Sequence, residues 1–270
     1  GFQKLAGELL QTLLKSEKSI DVYNDLALPY VVGCLTLIYN RPEDLDEWIS
    51  WGHDVWTAES PVRSGNTLHR YLKRVFNEQP KDDVWGFIRA TTPLDKPLTE
   101  AEFKGYASVL LAGGRDTVIK LVTGIVWHLT LNPSDAAALQ QDESLDRTLI
   151  NELLRFLSPL PAIERIDMKN PESGKYQRLH FASANHDSSV WDAPDEVRLD
   201  RGKQPHLSFG YGPHACIGMN LAEYEARAFI AELLPVVSQI KLENYELVWD
   251  EVEGTKFLAD LRNVRIRVGS

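Results

Sequence analysis

Residues 209–218 read FGYGPHACIG, so three glycines and a proline surround one of the two cysteines in the chain. A cysteine that only packs sits among leucines and valines. Here the neighbouring side chains are stripped back, and Gly210, Gly212 and Gly218 permit positive φ angles and let a large, flat group lie against the backbone. Cys216 also stands just before NLAEYEARAFIAELL (220–234), whose apolar spacing predicts an amphipathic helix. Unpaired N–H groups and the positive end of the helix dipole favour a thiolate there, the form in which sulfur ligates a metal. Zinc fits poorly: His206 and His214 are near in sequence, but no second cysteine and no His-x-x-x-His spacing completes a tetrahedral set.

A second cluster is AGGRDT at 112–117. Two adjacent glycines in a helix interior cost about 1 kcal/mol each relative to alanine, so their presence implies a need for room. Gly113 and Gly114 would let the helix pass over a planar cofactor and leave a groove for a small ligand such as dioxygen. Asp116 and Thr117 add an acid and a hydroxyl on consecutive residues, a pair suited to relaying protons and to opening the helical ladder locally. In a third place, NELLR, Glu152 and Arg155 share a helix face at i and i+3 and can pair. An exposed pair of this kind contributes only about 0.2–0.5 kcal/mol.

These groups must be positioned by helices. Through the first 165 residues apolar positions recur at three and four, with breaks at Pro42, NEQPKDD (77–83) and TTPLDKP (91–97). Thr99 and Glu102 form a capping box that starts one long helix running to the residue before Pro133. A further helix over LDRTLINELLRFLS is closed by Pro159 and Pro161. From 162 to 208 the pattern is irregular, with strand-like pieces such as RLHFAS; YELVWDEVEG and VRIRV read as strands. The longest apolar stretch, 26–39, is broken by Pro29 and Gly33, reads as core, and is too short for a bilayer, so no membrane segment is visible. A net charge of −10 argues against a general nucleic-acid binder. Two cysteines are too few for a disulfide framework, which points to a reducing, cytoplasmic setting.

Phe209, Gly212, Cys216 and Gly218 match every position of a pattern that resembles the haem-thiolate loop of the cytochrome P-450 superfamily. Gly113, Gly114, Asp116 and Thr117 match that family's distal-helix pattern, (Ala/Gly)-Gly-x-(Asp/Glu)-Thr. Glu152 and Arg155 match its Glu-x-x-Arg pair, which a further arginine, Arg201 here, completes into a buried network holding the cysteine loop. SANHD (183–187) and DLALPYVVGCLTLIYNRPEDL (25–45) look like the family's bacterial soluble members.

The resemblance implies haem b with its iron ligated by Cys216, the loop residues Phe209 and Gly210 beside it, His214 and Arg165 on the propionates, and Gly113 and Gly114 on the distal side. Asp116 and Thr117 are the expected catalytic pair. Cys34 is expected in the core, and His186 and His206 in turns. The fold class implied is mainly α with a small β portion, a cytochrome P-450-like fold incomplete at the N-terminus, with 1–270 as a single haem-thiolate domain. The family's N-terminal sheet and pocket-roofing helices have no counterpart, the stretch between Arg165 and Phe181 is short, and Val197 replaces a common aromatic.

The implied function is a haem-thiolate monooxygenase that inserts one oxygen atom of dioxygen into a mainly apolar small molecule, with Leu160 to Ile163 as apolar lining. Electrons would come from a separate ferredoxin- or flavodoxin-type partner, docking on a basic patch of Arg198, Arg201, Lys203 and His206. Two alternatives stand beside it: a peroxide-driven peroxygenase, and a non-catalytic haem-binding or scaffold protein with a lost distal pocket.

Overall fold

The computed structural model describes residues 1–52, 55, 66–166, 169, 170, 172, 174, 176–201 and 204–269. Helix α1 (Phe2–Leu13) leads through the short strand β1 (Ile20–Asp21) to a π-helical turn, Val22–Ala27. Asp21 caps that turn by accepting from the Asn24 N–H at 3.0 Å. The turn runs directly into α2 (Leu28–Tyr39), where Pro29 sits in the first turn and removes no ladder bond. The continuous helical run Val22–Tyr39 is 18 residues, longer than its sequence suggests, and by length and composition alone would reach across a membrane. Within this molecule it is a core element: Tyr30, Val31, Val32 and Cys34 have no exposed surface.

Helices α3 (Leu45–Ser50), α4 (Asn66–Asn77) and α5 (Val84–Ala90) follow, and then the capping box of Thr99 and Glu102 opens α6 (Glu100–Gly113). The expected single long helix is in fact two. The ladder stops at Gly114 and restarts as α7 (Asp116–Leu131), with Arg115 between them at φ −99° and ψ −75°. Glycine lacks the Cβ that would favour continuing the ladder, so the break falls at the Gly113–Gly114 pair.

Helix α7 is the central element, buried along most of its length from Val118 to Leu129. Gly124 lets α9 (Leu145–Leu157) come close, because a Cβ there would overlap the Leu157 side chain. Between them lies α8 (Pro133–Gln141), which begins at the proline that ends α7.

Strands β2 (Ala162–Ile166) and β3 (Tyr176–His180) pair antiparallel, with Arg165 opposite Gln177. The strand-like RLHFAS is strand only to His180. Its imidazole Nδ1 accepts from the Ser183 N–H, capping the short helix α10 (Phe181–Asn185). After α11 (Met219–Leu233), the long strands β4 (Ile240–Val252) and β5 (Thr255–Val268) form a hairpin. Glu253 and Gly254 turn it with positive φ. Strand β1 adds to its free edge, Ile20 opposite Ile266, so the sheet order is β1-β5-β4.

Candidate functional site

The loop before α11 is built by its glycines and its own backbone. Gly210 and Gly212 hold φ of +66° and +69°, a region that costs an L-residue about 1–2 kcal/mol. At Gly212 a Cβ would meet nothing within 4 Å, so backbone conformation, and not space, requires the glycine. The Cys216 N–H closes the loop onto the Phe209 carbonyl at 2.8 Å, and Gly212–His214 form a single 3₁₀ turn. Phe209 packs on the core, whereas everything from Tyr211 to Ile217 is exposed, Tyr211 at 85 % and Ile217 at 88 %. Two large apolar side chains that far into solvent, flanking an exposed thiol, mark a surface made to be covered.

Behind the loop lies a buried charged network. Arg155 grips Glu152 with two hydrogen bonds of 2.9 Å and donates its remaining N–H groups to the carbonyls of Asn185, Pro194 and Glu196 at 2.7–2.9 Å. Glu152 also accepts from Arg201 Nε at 2.8 Å and from the Arg198 N–H at 3.2 Å. The ring of Trp191 lies against both guanidinium groups, 5.3 Å from Arg155 and 5.9 Å from Arg201. Burial alone would raise the Glu152 pKa, but the two arginines outweigh it and hold the carboxyl below its ordinary value.

One residue joins this network to the loop, and motif matching assigned it no role. Asn185 is 1 % exposed; its amide donates to Ser158 Oγ and Ser208 Oγ at 2.9 Å, and its Oδ1 accepts from the Leu207 N–H at 2.8 Å. Ser208 Oγ in turn donates to the Leu154 carbonyl at 2.6 Å. The segment entering the loop is thus bolted to the end of α9. The available signal was the string SANHD, which names the residue without saying what it holds.

At the break between α6 and α7 the two glycines have different surroundings. A Cβ on Gly113 would meet nothing, so this residue borders open space as the groove reading requires. Gly114 instead faces the Leu110 carbonyl at 3.3 Å and Leu35 of α2 at 3.5 Å, and its glycine serves helix packing. Thr117 Oγ1 donates to the Gly113 carbonyl at 2.9 Å, while Asp116 is buried and ion-paired with Arg115.

Arg165 on β2 and His214 in the loop are both exposed, and their side chains make no hydrogen bond or ion pair among the described residues. His206 is half-buried, with Asn151 Oδ1 3.2 Å from its Nε2; burial and then the nearby Arg155 push its pKa down to about 4. Three of the four residues of the expected basic patch are described, and their charges have partners or are suppressed. His206 is neutral near pH 7, Arg201 is committed to Glu152, and Arg198 is paired with Asp192 and Asp200. Lys203 lies outside the described residues.

Comparison with known proteins bears directly on this arrangement. The family model described as Cytochrome P450 matches residues 144–236, which span the charged network and the cysteine loop. Cytochrome P450-terp of a Pseudomonas species is 30 % identical over 98 % of this chain and 68 % of its own length. The chain belongs to the cytochrome P450 family. This P450 chain is also 26 % identical to the biotin biosynthesis cytochrome P450 of Bacillus subtilis, over 92 % of this chain and 68 % of that one. Its fold superposes on the structure of a carbohydrate active P450 with a TM-score of 0.87 at 28 % identity, covering 99 % of this chain and 73 % of the other. The mainly helical P450 fold with small sheets is therefore present, and it is partial relative to full-length P450 structures.

P450s normally bind haem through a cysteine thiolate. The residues of this P450 chain fit that group. The loop presents an exposed thiol after two glycines in left-handed conformation, with apolar side chains around it and an exposed histidine two residues away. Gly113 leaves its side of the helix break unfilled.

Proposed function

We propose that residues 1–270 form one haem-thiolate domain of a P450 monooxygenase, which inserts one atom of dioxygen into a mainly apolar small molecule. The observation that carries this reading is the exposed Cys216 in a loop whose glycines, and not its packing, set its shape. Cys216 Sγ would hold the iron of haem b, with Phe209 and Gly210 beside it. His214 and Arg165, without protein partners among the described residues, take the propionates. Haem held there would supply dioxygen activation, which a cysteine thiolate ligand would favour.

The chain's own residues do the rest. Glu152, Arg155, Arg201 and Asn185 hold the loop rigidly, so that the sulfur is fixed before any ligand arrives. Gly113 leaves room for a small ligand, and Leu160 to Ile163 contribute apolar surface for substrate. Thr117 Oγ1 donates a hydrogen bond to the Gly113 carbonyl in the resting chain; rotation about χ1 would turn the hydroxyl toward the open side of Gly113, where Thr117 and Asp116 would handle protons. Electrons come from a separate ferredoxin- or flavodoxin-type protein in the cytoplasm.

The test is reconstitution with haem followed by titration with apolar small molecules and by turnover with a surrogate ferredoxin and its reductase. A ligand-dependent shift of the ferric absorption band, and product formed from dioxygen only when the reductase is present, are expected. Haem binding with no ligand response would mean a scaffold. Turnover with peroxide alone, insensitive to Thr117→Ala, would mean a peroxygenase.

A further inference from the structure

A cavity of about 400 Å³ opens where β5, the start of the π-helical turn and α7 meet, a volume within the range of about 300–1,000 Å³ usual for small-molecule sites. Its lining takes nothing from the cysteine loop or from residues 113–117. Sheet topology creates it. Strand β1 pairs with β5 only at Ile20–Ile266 and Asp21–Arg265 before the chain leaves as the π-helical turn. On that side, β5 from Val264 back to Ala259 has no strand beside it among the described residues, and such an edge presents backbone donors and acceptors.

Thr123 is the side chain that points to a ligand. It is 3 % exposed, and its Oγ1 has no hydrogen-bond partner. The other two threonines of α7, Thr117 and Thr130, donate to the carbonyl four residues back, at 2.9 and 2.7 Å. Thr123 has the same local option and does not take it, and it lines the cavity. A buried hydroxyl without a partner carries its full desolvation cost, which a hydrogen-bonding group in the cavity would remove. Lys120, three residues earlier and so on the same helix face, also lines the cavity; its Nζ is 4.0 Å from Asp260 Oδ1, beyond hydrogen-bond reach.

The charges around the cavity disfavour ions of either sign. Asp260 accepts from Arg262 Nε at 2.7 Å and from the Leu261 N–H at 3.0 Å, while Asp21 accepts from the Asn24 N–H at 3.0 Å and lies 3.7 Å from Arg265. An anion would sit beside two carboxylates, and a cation beside Lys120 and Arg262. Hydroxyl groups suit this lining, because each can donate to a carboxylate and accept from an ammonium. The Tyr23 ring, Leu157 and Pro159 add apolar surface for a carbon skeleton.

We propose that this cavity binds a neutral polyhydroxylated molecule of mono- or disaccharide size, with Thr123 and Lys120 anchoring its hydroxyls. The site does not rest on the monooxygenase reading.

The test titrates the full, haem-free chain with glucose and with maltose and follows saturation transfer from protein to sugar by NMR. Saturable one-site binding of at least one sugar is expected, with none for citrate as the charged control. Thr123→Val keeps the side-chain shape and drops the hydroxyl. It should weaken binding about tenfold while melting no lower than the parent, because the lost hydroxyl has no protein partner. Lys120→Met should also weaken binding several-fold. After reconstitution with haem, maltose should leave the ferric absorption band unmoved. The proposal is overturned by absence of saturable binding for both sugars, by unchanged affinity in Thr123→Val, by preference for citrate, or by a maltose-dependent shift of the ferric band, which would put the sugar at the haem. If the chain binds no haem, the proposed activity falls and the titration still decides the cavity.

Discussion

Two buried carboxyls, Glu225 and Glu152, are shifted in opposite directions, because burial raises both and only Glu152 has arginines to outweigh it. Glu225 on α11 is 1 % exposed, its Oε2 has no partner, and burial pushes its pKa up to about 8. Between the ordinary value of 4.5 and about 8 the folded chain holds a proton that the unfolded chain has lost, so stability falls as pH rises through that window. The slope from this one group is about 1.4 kcal/mol per pH unit. Glu225→Gln should abolish that slope and raise the melting temperature at pH 8 relative to the parent; a thermal-melt series from pH 5 to 9 measures both. Glu152 has the reverse sign. Its carboxyl is held below 4.5 in the folded chain, so its contribution is present above that value and is lost as pH falls through the folded pKa. Removing its main partner, as in Arg155→Met, should destabilise by about 3–5 kcal/mol in urea unfolding, because a buried charge is stranded. In sequence, Glu152 and Arg155 look like any helical i, i+3 pair. What separates them from a surface pair is Arg201, 46 residues after Arg155, and three carbonyls from the end of α10 and the turn beyond it, and no local pattern carries that information.

At the scale of elements, glycines distinguish where α7 needs space from where it needs contact. Gly113→Ala places a methyl in open space at a helix end, so it should leave the melting temperature unchanged or raise it, by up to about 1 kcal/mol, while weakening carbon monoxide binding to the reconstituted protein. Gly124→Ala drives a methyl into Leu157 where α7 crosses α9 and should cost about 1–3 kcal/mol in the same unfolding assay. The double glycine at 113–114 was legible as an anomaly, and with it the presence of something special in that helix. That the helix gives way to a two-residue turn there, that Gly113 faces open space while Gly114 packs on α2, and that Arg115 pairs with Asp116 and reaches the Trp48 carbonyl depend on α2 and α3 packing from the other side. Strand assignment failed at Phe181 for a similar reason: the cap from His180 outweighs the β-forming character of the residues around it.

Across the whole molecule, the closing sheet joins distant parts of the chain, pairing Ile20 with Ile266. Helix periods, proline and glycine stops and the tail strands were all visible in the residues, because they are local. The cysteine loop was visible for another reason: a thiol among glycines is a costly arrangement that packing alone does not explain. At 198–206 sequence shows formal charge, and not the pairing of Arg198 with Asp192 and Asp200, the pairing of Arg201 with Glu152 or the lowered pKa of His206. The central claim, iron held by Cys216 Sγ, is tested most directly by the carbon monoxide difference spectrum of the reduced, haem-loaded chain, measured beside Cys216→Ser with circular dichroism as the control for folding. The account predicts the red-shifted thiolate band in the parent and its loss in a folded Cys216→Ser variant; the same band in both would contradict it.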